Sequence, residues 1–307
     1  MLVIIFLAVL LIVILALIGA RRLLSHRKKG DSLSTVIVLP KSDPFKALIE
    51  MDQIDKSFDR QKVLNQISLK IQPGETLGIL GKSGGGKSVL LQLIVGLLWP
   101  DAGEIRFKGK SLFKMNESEL LDMRKRVSYV FQSGAVFDFL SVKENIAYPL
   151  RDQGVVDENQ IQLRVSELLE AVELDEMGNL QCDELSVGSK KQVAIARAIA
   201  NNPEAILYDE PTTGVDPLIG KSLSRLIRRL NKHHNLTSVV VTHDLQCLAT
   251  VSDRIILLKN GQIYFEGSLD EFHTSTDRYV LAFIAGKRYH EKTERGSSGV
   301  NCSVSPP

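Results

Sequence analysis

The chain has 307 residues, 44% of them hydrophobic and 24% charged, with a formal net charge of +2. That profile belongs to a globular protein and excludes a disordered chain or a bulk nucleic-acid binder, which would need a large basic excess. Aromatics make up only 6% of residues, so the core must be built mainly from aliphatic side chains. Cys182, Cys247 and Cys302 lie far apart, without the paired spacing of a zinc site or a disulfide framework, and are expected to be reduced bystanders in a cytosolic compartment.

Residues 1–20, MLVIIFLAVLLIVILALIGA, carry no charge. At about 1.5 Å per residue they are long enough to cross a hydrocarbon core of about 30 Å, so one transmembrane helix is expected. A secretory signal would place its positive charge before the apolar run, whereas Arg21, Arg22, Arg27, Lys28 and Lys29 follow it. The positive-inside rule then keeps the rest of the chain on the cytoplasmic side. Nothing later in the sequence requires this segment, so a misassigned start is the alternative. Residues 21–47 read as a basic flank and a linker rich in Ser, Asp and Pro.

From 48 to 275 short aliphatic runs alternate with amphipathic helical patterns, the mark of an α/β domain. Residues 67–71 (ISLKI) alternate as a strand, Pro73-Gly74 turns, and 76–80 (TLGIL) form a short apolar strand. The strand feeds the loop Gly81, Lys82, Ser83, Gly84, Gly85, Gly86, Lys87, Ser88, Val89, and the apolar run VLLQLIVGLL leaves it as a helix. Gly81, four residues, then Gly86-Lys87-Ser88 is the phosphate-loop spacing, in the strand-to-helix setting its mechanism needs. Glycines let successive main-chain N–H groups turn toward phosphate oxygens, and the helix N-terminus adds partial positive charge. Lys87 is placed to reach the β and γ phosphates, and Ser88 to hold Mg²⁺.

A second apolar run, AILYDEP at 205–211, ends in Asp209 and Glu210. Two carboxylates at the end of a buried strand are costly unless they hold a metal or do chemistry. Asp209 is expected to bind Mg²⁺ through water and Glu210 to polarise an attacking water. A third run, TSVVVTHD at 237–244, brings His243 to the end of the same sheet, where ligands of open α/β sheets gather.

The ordered segments GKSGGGKS, FQSG, LSVGSKKQVAIARA, YDEPTTGVDP and VVVTHD resemble the nucleotide-binding subunit of an ABC transporter over about residues 49–272. The resemblance implies an ATPase with ATP and Mg²⁺ as cofactors, on a RecA-like phosphate-loop NTPase core joined to an ABC β-subdomain and an α-helical subdomain at about 133–190. It implies that Phe58 stacks on adenine and that Gln132 touches Mg²⁺ and couples to the membrane partner. By the same resemblance His243 meets the γ phosphate, and Asp216 crosses a cassette dimer interface.

The departure from the family pattern lies in the signature, LSGGQ in the family and Leu185-Ser186-Val187-Gly188-Ser189 here. Ser186 and Gly188 are expected to face a phosphate at a helix N-terminus. Val187 brings a Cβ where glycine is usual, so a slower ATPase is expected. One copy of each motif implies a homodimer of cassettes or pairing with a second cassette. Permease subunits at the bacterial inner membrane are implied as partners, and no nucleic acid.

Helical spacing in ENQIQLRVSELLEAVEL predicts a packed stripe of Ile161, Leu163, Val165, Leu168, Leu169 and Val172. The segment 134–150, GAVFDFLSVKENIAYPL, and the run 276–286, TDRYVLAFIAG, are similar to ABC ATPases of the Mla type, which work with MCE-domain proteins on phospholipids. An importer ATPase for a small polar solute such as an amino acid is the first alternative, and a non-transport ABC ATPase the second. Residues 276–307 form a C-terminal extension whose polar end is expected to be disordered.

Overall fold

The computed structural model describes residues 47–59, 61–155 and 157–285. The expected membrane-spanning segment 1–20, most of the linker and the polar C-terminal end lie outside the described residues. Among the described residues no helix is long and apolar enough to cross a membrane.

Two sheets form the frame. An antiparallel sheet in the order β2-β1-β4-β5 is made of β1 (Ile49–Phe58), β2 (Gln61–Ile71), β4 (Ala102–Phe107) and β5 (Lys110–Ser111). A six-stranded sheet in the order β10-β9-β3-β8-β7-β6 is made of β3 (Thr76–Gly81), β6 (Val127–Val130), β7 (Ala205–Asp209), β8 (Thr237–Thr242), β9 (Arg254–Lys259) and β10 (Gln262–Gly267). Within it β9, β3, β8, β7 and β6 run parallel, and only β10 pairs antiparallel.

Every residue of β3, β7 and β8 is buried, which is why these strands read as unbroken apolar runs: a parallel sheet is covered on both faces. Alternate residues then divide between two cores. Leu77, Ile79, Leu207, Val239, Val241 and Ile256 pack with the antiparallel sheet and with α1 (Lys87–Ile94). Leu80, Ile206, Tyr208, Val240, Ile255 and Leu257 face the opposite side. There they meet α3 (Val142–Asp152), α4 (Glu158–Ala171), α5 (Val187–Ile199), α6 (Pro217–His234) and α7 (Leu245–Val251). Short helices α8 (Leu269–His273) and α9 (Arg278–Ile284) join this second core through Phe272, Tyr279 and Val280. The first part of the C-terminal extension is therefore packed. The remaining helix, α2 (Glu117–Arg126), leads into β6 and is closed at its N-terminus by a capping box of Asn116 and Glu119.

The stripe expected on 161–172 needs one correction. Ile161, Val165, Leu168, Leu169 and Val172 are buried, but Leu163 is 67% exposed. At 100° per residue it sits about 200° round the helix from Ile161 and falls outside the apolar face. The signature helix also runs beyond the expected subdomain limit at 190, to Ile199.

Candidate active site

The carboxyl ends of β3, β8 and β7 lie side by side, and β8 stands between the other two. This ordering brings the phosphate loop after β3, the carboxylates after β7 and His243 after β8 to one edge of the sheet. Ligands of open α/β sheets bind at that edge.

The loop after β3 turns on Gly84 and Gly86, at φ +74° and +88°. Gly86 caps α1 without any side chain, and a Cβ there would lie 2.8 Å from the Leu64 side chain and 3.1 Å from the Val63 carbonyl. Only glycine combines that backbone angle with so close a neighbour. Lys87 is buried, and its ammonium donates to the carbonyls of Gly81 at 2.9 Å and Lys82 at 3.2 Å. It also stands 3.4 Å from Glu210 Oε1. Ser88 Oγ donates to Asp209 Oδ1 at 2.9 Å. A hydroxyl and a buried carboxylate converging in this way form a hard-oxygen donor pair suited to Mg²⁺.

Glu210 is the most constrained side chain of the site. Its Oε2 lies 2.8 Å from His243 Nδ1 and accepts from the hydroxyls of Thr213 and Thr242, each at 3.1 Å. Burial pushes its pKa up, but the Lys87 ammonium, then His243 and the two threonine hydroxyls, outweigh it and hold the carboxyl below its ordinary value. Glu210 also sits at φ +49°, a left-handed conformation that costs a non-glycine residue energy and that clusters at functional sites.

Two contributors escaped the sequence reading. Tyr129 on β6 donates its hydroxyl to Asp209 Oδ2 at 2.8 Å. Burial, with the Asp209 charge beside it, pushes its pKa far up, so it stays a donor. Thr242, the last residue of β8, orients Glu210. Neither has a sequence signal beyond its place at a strand end, because both act across strand pairings.

Other expected site residues lie further out. Phe58 ends β1 with its ring 42% exposed and Lys56 Nζ 5.4 Å from the ring centroid. Gln132 is exposed, and it is its main-chain carbonyl that is bonded, by Lys191. Asp216 caps α6 by accepting from the Leu218 N–H at 2.8 Å. Ser186 caps α5: its Oγ accepts from Ser189 N at 3.1 Å and shares a hydrogen with Ser189 Oγ. A Cβ at Gly188 would meet Ile219 Cγ2 at 2.7 Å, so a larger residue there would require the Ile219 side chain to shift. Val187 is 55% exposed, so any crowding by it falls on a partner molecule.

A cavity of about 410 Å³ opens beside the phosphate loop, walled by Val63, Lys82, Gly85, Lys259 and Tyr279. A larger cleft of about 920 Å³ lies elsewhere, and its arginines are engaged by its own carboxylates, Arg254 with Glu75 and Arg106 with Glu50. Chemistry, not size, selects the first.

A parallel sheet with a glycine phosphate loop, a loop lysine against a buried carboxylate and a serine–aspartate pair defines a phosphate-loop nucleotide hydrolase. Comparison with known proteins then fixes the family. The family model described as ABC transporter matches residues 64–213. The intermembrane phospholipid transport system ATP-binding protein MlaF of Haemophilus influenzae is 37% identical over 78% of this chain and 91% of its own. A methionine import ATP-binding protein of Corynebacterium diphtheriae is 37% identical, over 73% and 66% of the two chains. A dimeric ATP-binding cassette solved in a post-hydrolysis state with ADP and Pi superposes with a TM-score of 0.66 at 33% identity, covering 72% of this chain and 98% of that one. The chain belongs to the ABC transporter ATP-binding family and is an ATPase subunit.

Proposed function

We propose that this ATPase drives a phospholipid transporter, as a dimer of cassettes attached to permease subunits on the cytoplasmic face of a bacterial inner membrane, with an MCE-domain protein as a further partner. The observation that carries this reading is the likeness to MlaF, at 37% identity to the Haemophilus influenzae protein and 39% to that of Escherichia coli, over more than three quarters of this chain. A small-solute importer is the second reading, favoured by relatives at similar identity that import methionine or sulfate and thiosulfate.

The surface after Gln132 suits a permease. Phe137, Phe139 and Tyr148 form an aromatic group with ring centroids 5.9 and 5.1 Å from Phe137, and Phe139 is 79% exposed. Asn145 fixes this turn by accepting from Phe137 N and donating to Phe137 O, both at 2.9 Å. Exposed aromatics on a pinned turn are the anchors that protein interfaces use.

In hydrolysis, main-chain N–H groups of residues 82–88 hold the phosphates, and Phe58 offers its ring to the base. Lys87 neutralises charge on the β and γ phosphates. Ser88 and Asp209, with Gln132, would hold Mg²⁺, which when bound would neutralise charge on the transferring group. Glu210 orients water toward the γ phosphorus; as the water oxygen bonds to phosphorus, the bond to the β–γ bridging oxygen breaks, its electron pair leaves with ADP, and the water's proton passes to the released phosphate. His243, fixed by Glu210, faces the γ phosphate. Ser186, Gly188 and Asp216 serve the nucleotide of the second cassette.

Recovery of the tagged chain from mildly solubilised native membranes, with identification of its stoichiometric partners by mass spectrometry, tests the reading. An MCE-domain protein with a polytopic permease supports lipid transport. A solute-binding protein with its permease replaces the substrate.

A further inference from the structure

We propose that Lys191 is a positioning residue for ATP hydrolysis, a buried cation that joins the signature helix to the main chain at both Gln132 and Glu210. The inference rests on the reading of Glu210 as the residue that orients water. Lys191 is 4% exposed and lies on the face of α5 that also buries Gly188, Ile195 and Ile199. A lysine on the buried stripe of a helix is costly unless its ammonium is bonded, so its presence needs an explanation beyond filling space.

The ammonium donates to the Gln132 carbonyl at 2.9 Å and stands 3.5 Å from the Glu210 carbonyl. Gln132 follows β6 and Glu210 follows β7, while α5 begins at the Ser186 cap. One side chain therefore spans three segments, each carrying a residue of the site.

The strain at Glu210 says what the link does. At φ +49° its peptide leaves the strand course, and its carbonyl accepts from Thr213 N at 3.2 Å with Lys191 on the same oxygen. Its own N–H donates to Val241 O at 2.9 Å. Glu210 is thus fixed on one side by β8 and on the other by the signature helix. Displacement of that helix is transmitted through Lys191 to the main chain that aims the carboxylate and to the Gln132 loop together. Burial lowers the ammonium's pKa, and the Glu210 charge offsets only part of that shift.

The test uses the purified full chain with Lys191→Met, Lys191→Gln, Lys191→Arg and Glu210→Gln. Methionine keeps the buried alkyl stem and removes the charge. The expected result is a fall in kcat of about tenfold to a hundredfold for Lys191→Met and Lys191→Gln, with the KM for ATP within about threefold of the parent, because misplacement of a reacting group costs rate and not ground-state binding. Lys191→Arg, which keeps charge and donors, recovers most of kcat, and thermal unfolding shows the variants folded. The proposal is overturned if the neutral variants keep kcat within twofold while Glu210→Gln is inactive, or if both fail to fold, which makes Lys191 a structural group. Full turnover by Glu210→Gln instead refutes the reading of Glu210, and the basis of the inference with it.

Discussion

Gly261, in the turn between β9 and β10, is sterically confined by main-chain atoms of β2. Its φ is +74°, and a Cβ built on it would lie 2.4 Å from Val63 O, 3.0 Å from Val63 C and 3.2 Å from Leu64 Cα. All three are main-chain atoms, so no rotamer change relieves the overlap and β2 must move. Alanine in the left-handed region costs about 1–2 kcal/mol, and forcing atoms into a packed contact costs about 1–3 kcal/mol more. The hydrogen bond from Asn65 N to Gly261 O, 2.8 Å, is strained by the same shift. Gly261→Ala is therefore expected to destabilise by about 3 kcal/mol, a fall of about 6–12 °C in Tm for a domain of this size. Gly154→Ala separates the two costs, because Gly154 has φ +84° with nothing within 4 Å of its Cβ position. It should show the conformational cost alone. The displaced Val63 also abuts the phosphate loop, its Cγ1 lying 3.1 Å from the Cβ position of Gly86, so the KM for ATP should rise in Gly261→Ala only. Thermal unfolding of both variants beside the parent decides the matter. Equal losses of Tm would refute the steric argument.

Tyr208 is fully buried, and its hydroxyl has no hydrogen-bond partner among the described residues, so Tyr208→Phe removes an unsatisfied polar group and should stabilise by about 1 kcal/mol in urea unfolding. A loss of similar size would show that the hydroxyl is bonded to water. The pH dependence follows from Glu210, whose folded pKa lies below its ordinary value of 4.5. The unfolded state then binds the proton more readily, so the stabilisation from ionised Glu210 is fully present above pH 4.5 and is lost as pH falls through the lower folded value. The stability difference between the parent and Glu210→Gln should accordingly be largest near neutrality and shrink below pH 4.5. A difference constant with pH would show that Lys87 and His243 do not hold the charge.

Much of the site was legible because its parts are local. The spacing from Gly81 to Ser88 encodes a loop, its cap and two ligands within eight residues, and a pair of acids closing the apolar run 205–209 announces its cost without reference to the fold. Tyr129, Thr242 and Lys191 were not legible. Their partners lie 80, 32 and 59 residues away, to Asp209, Glu210 and Gln132 respectively, and meet them only because β6 pairs with β7, β7 pairs with β8 and α5 packs against β6. Leu163 shows the opposite case, an apolar residue within the helical pattern that lies off the buried face.

By itself the sequence determined the alternation of strands and helices and the phosphate-loop spacing, which rest on short-range pattern and on which groups are costly to bury, and its ordered motifs carried the resemblance to the family. The tertiary structure alone decided that β8 lies between β3 and β7, that Glu210 is held in a left-handed turn between Lys87 and His243, and that a buried lysine binds the signature helix to that turn. These depend on sheet order and packing between segments distant along the chain, where a residue's role is set by the neighbours that the closed core brings to it.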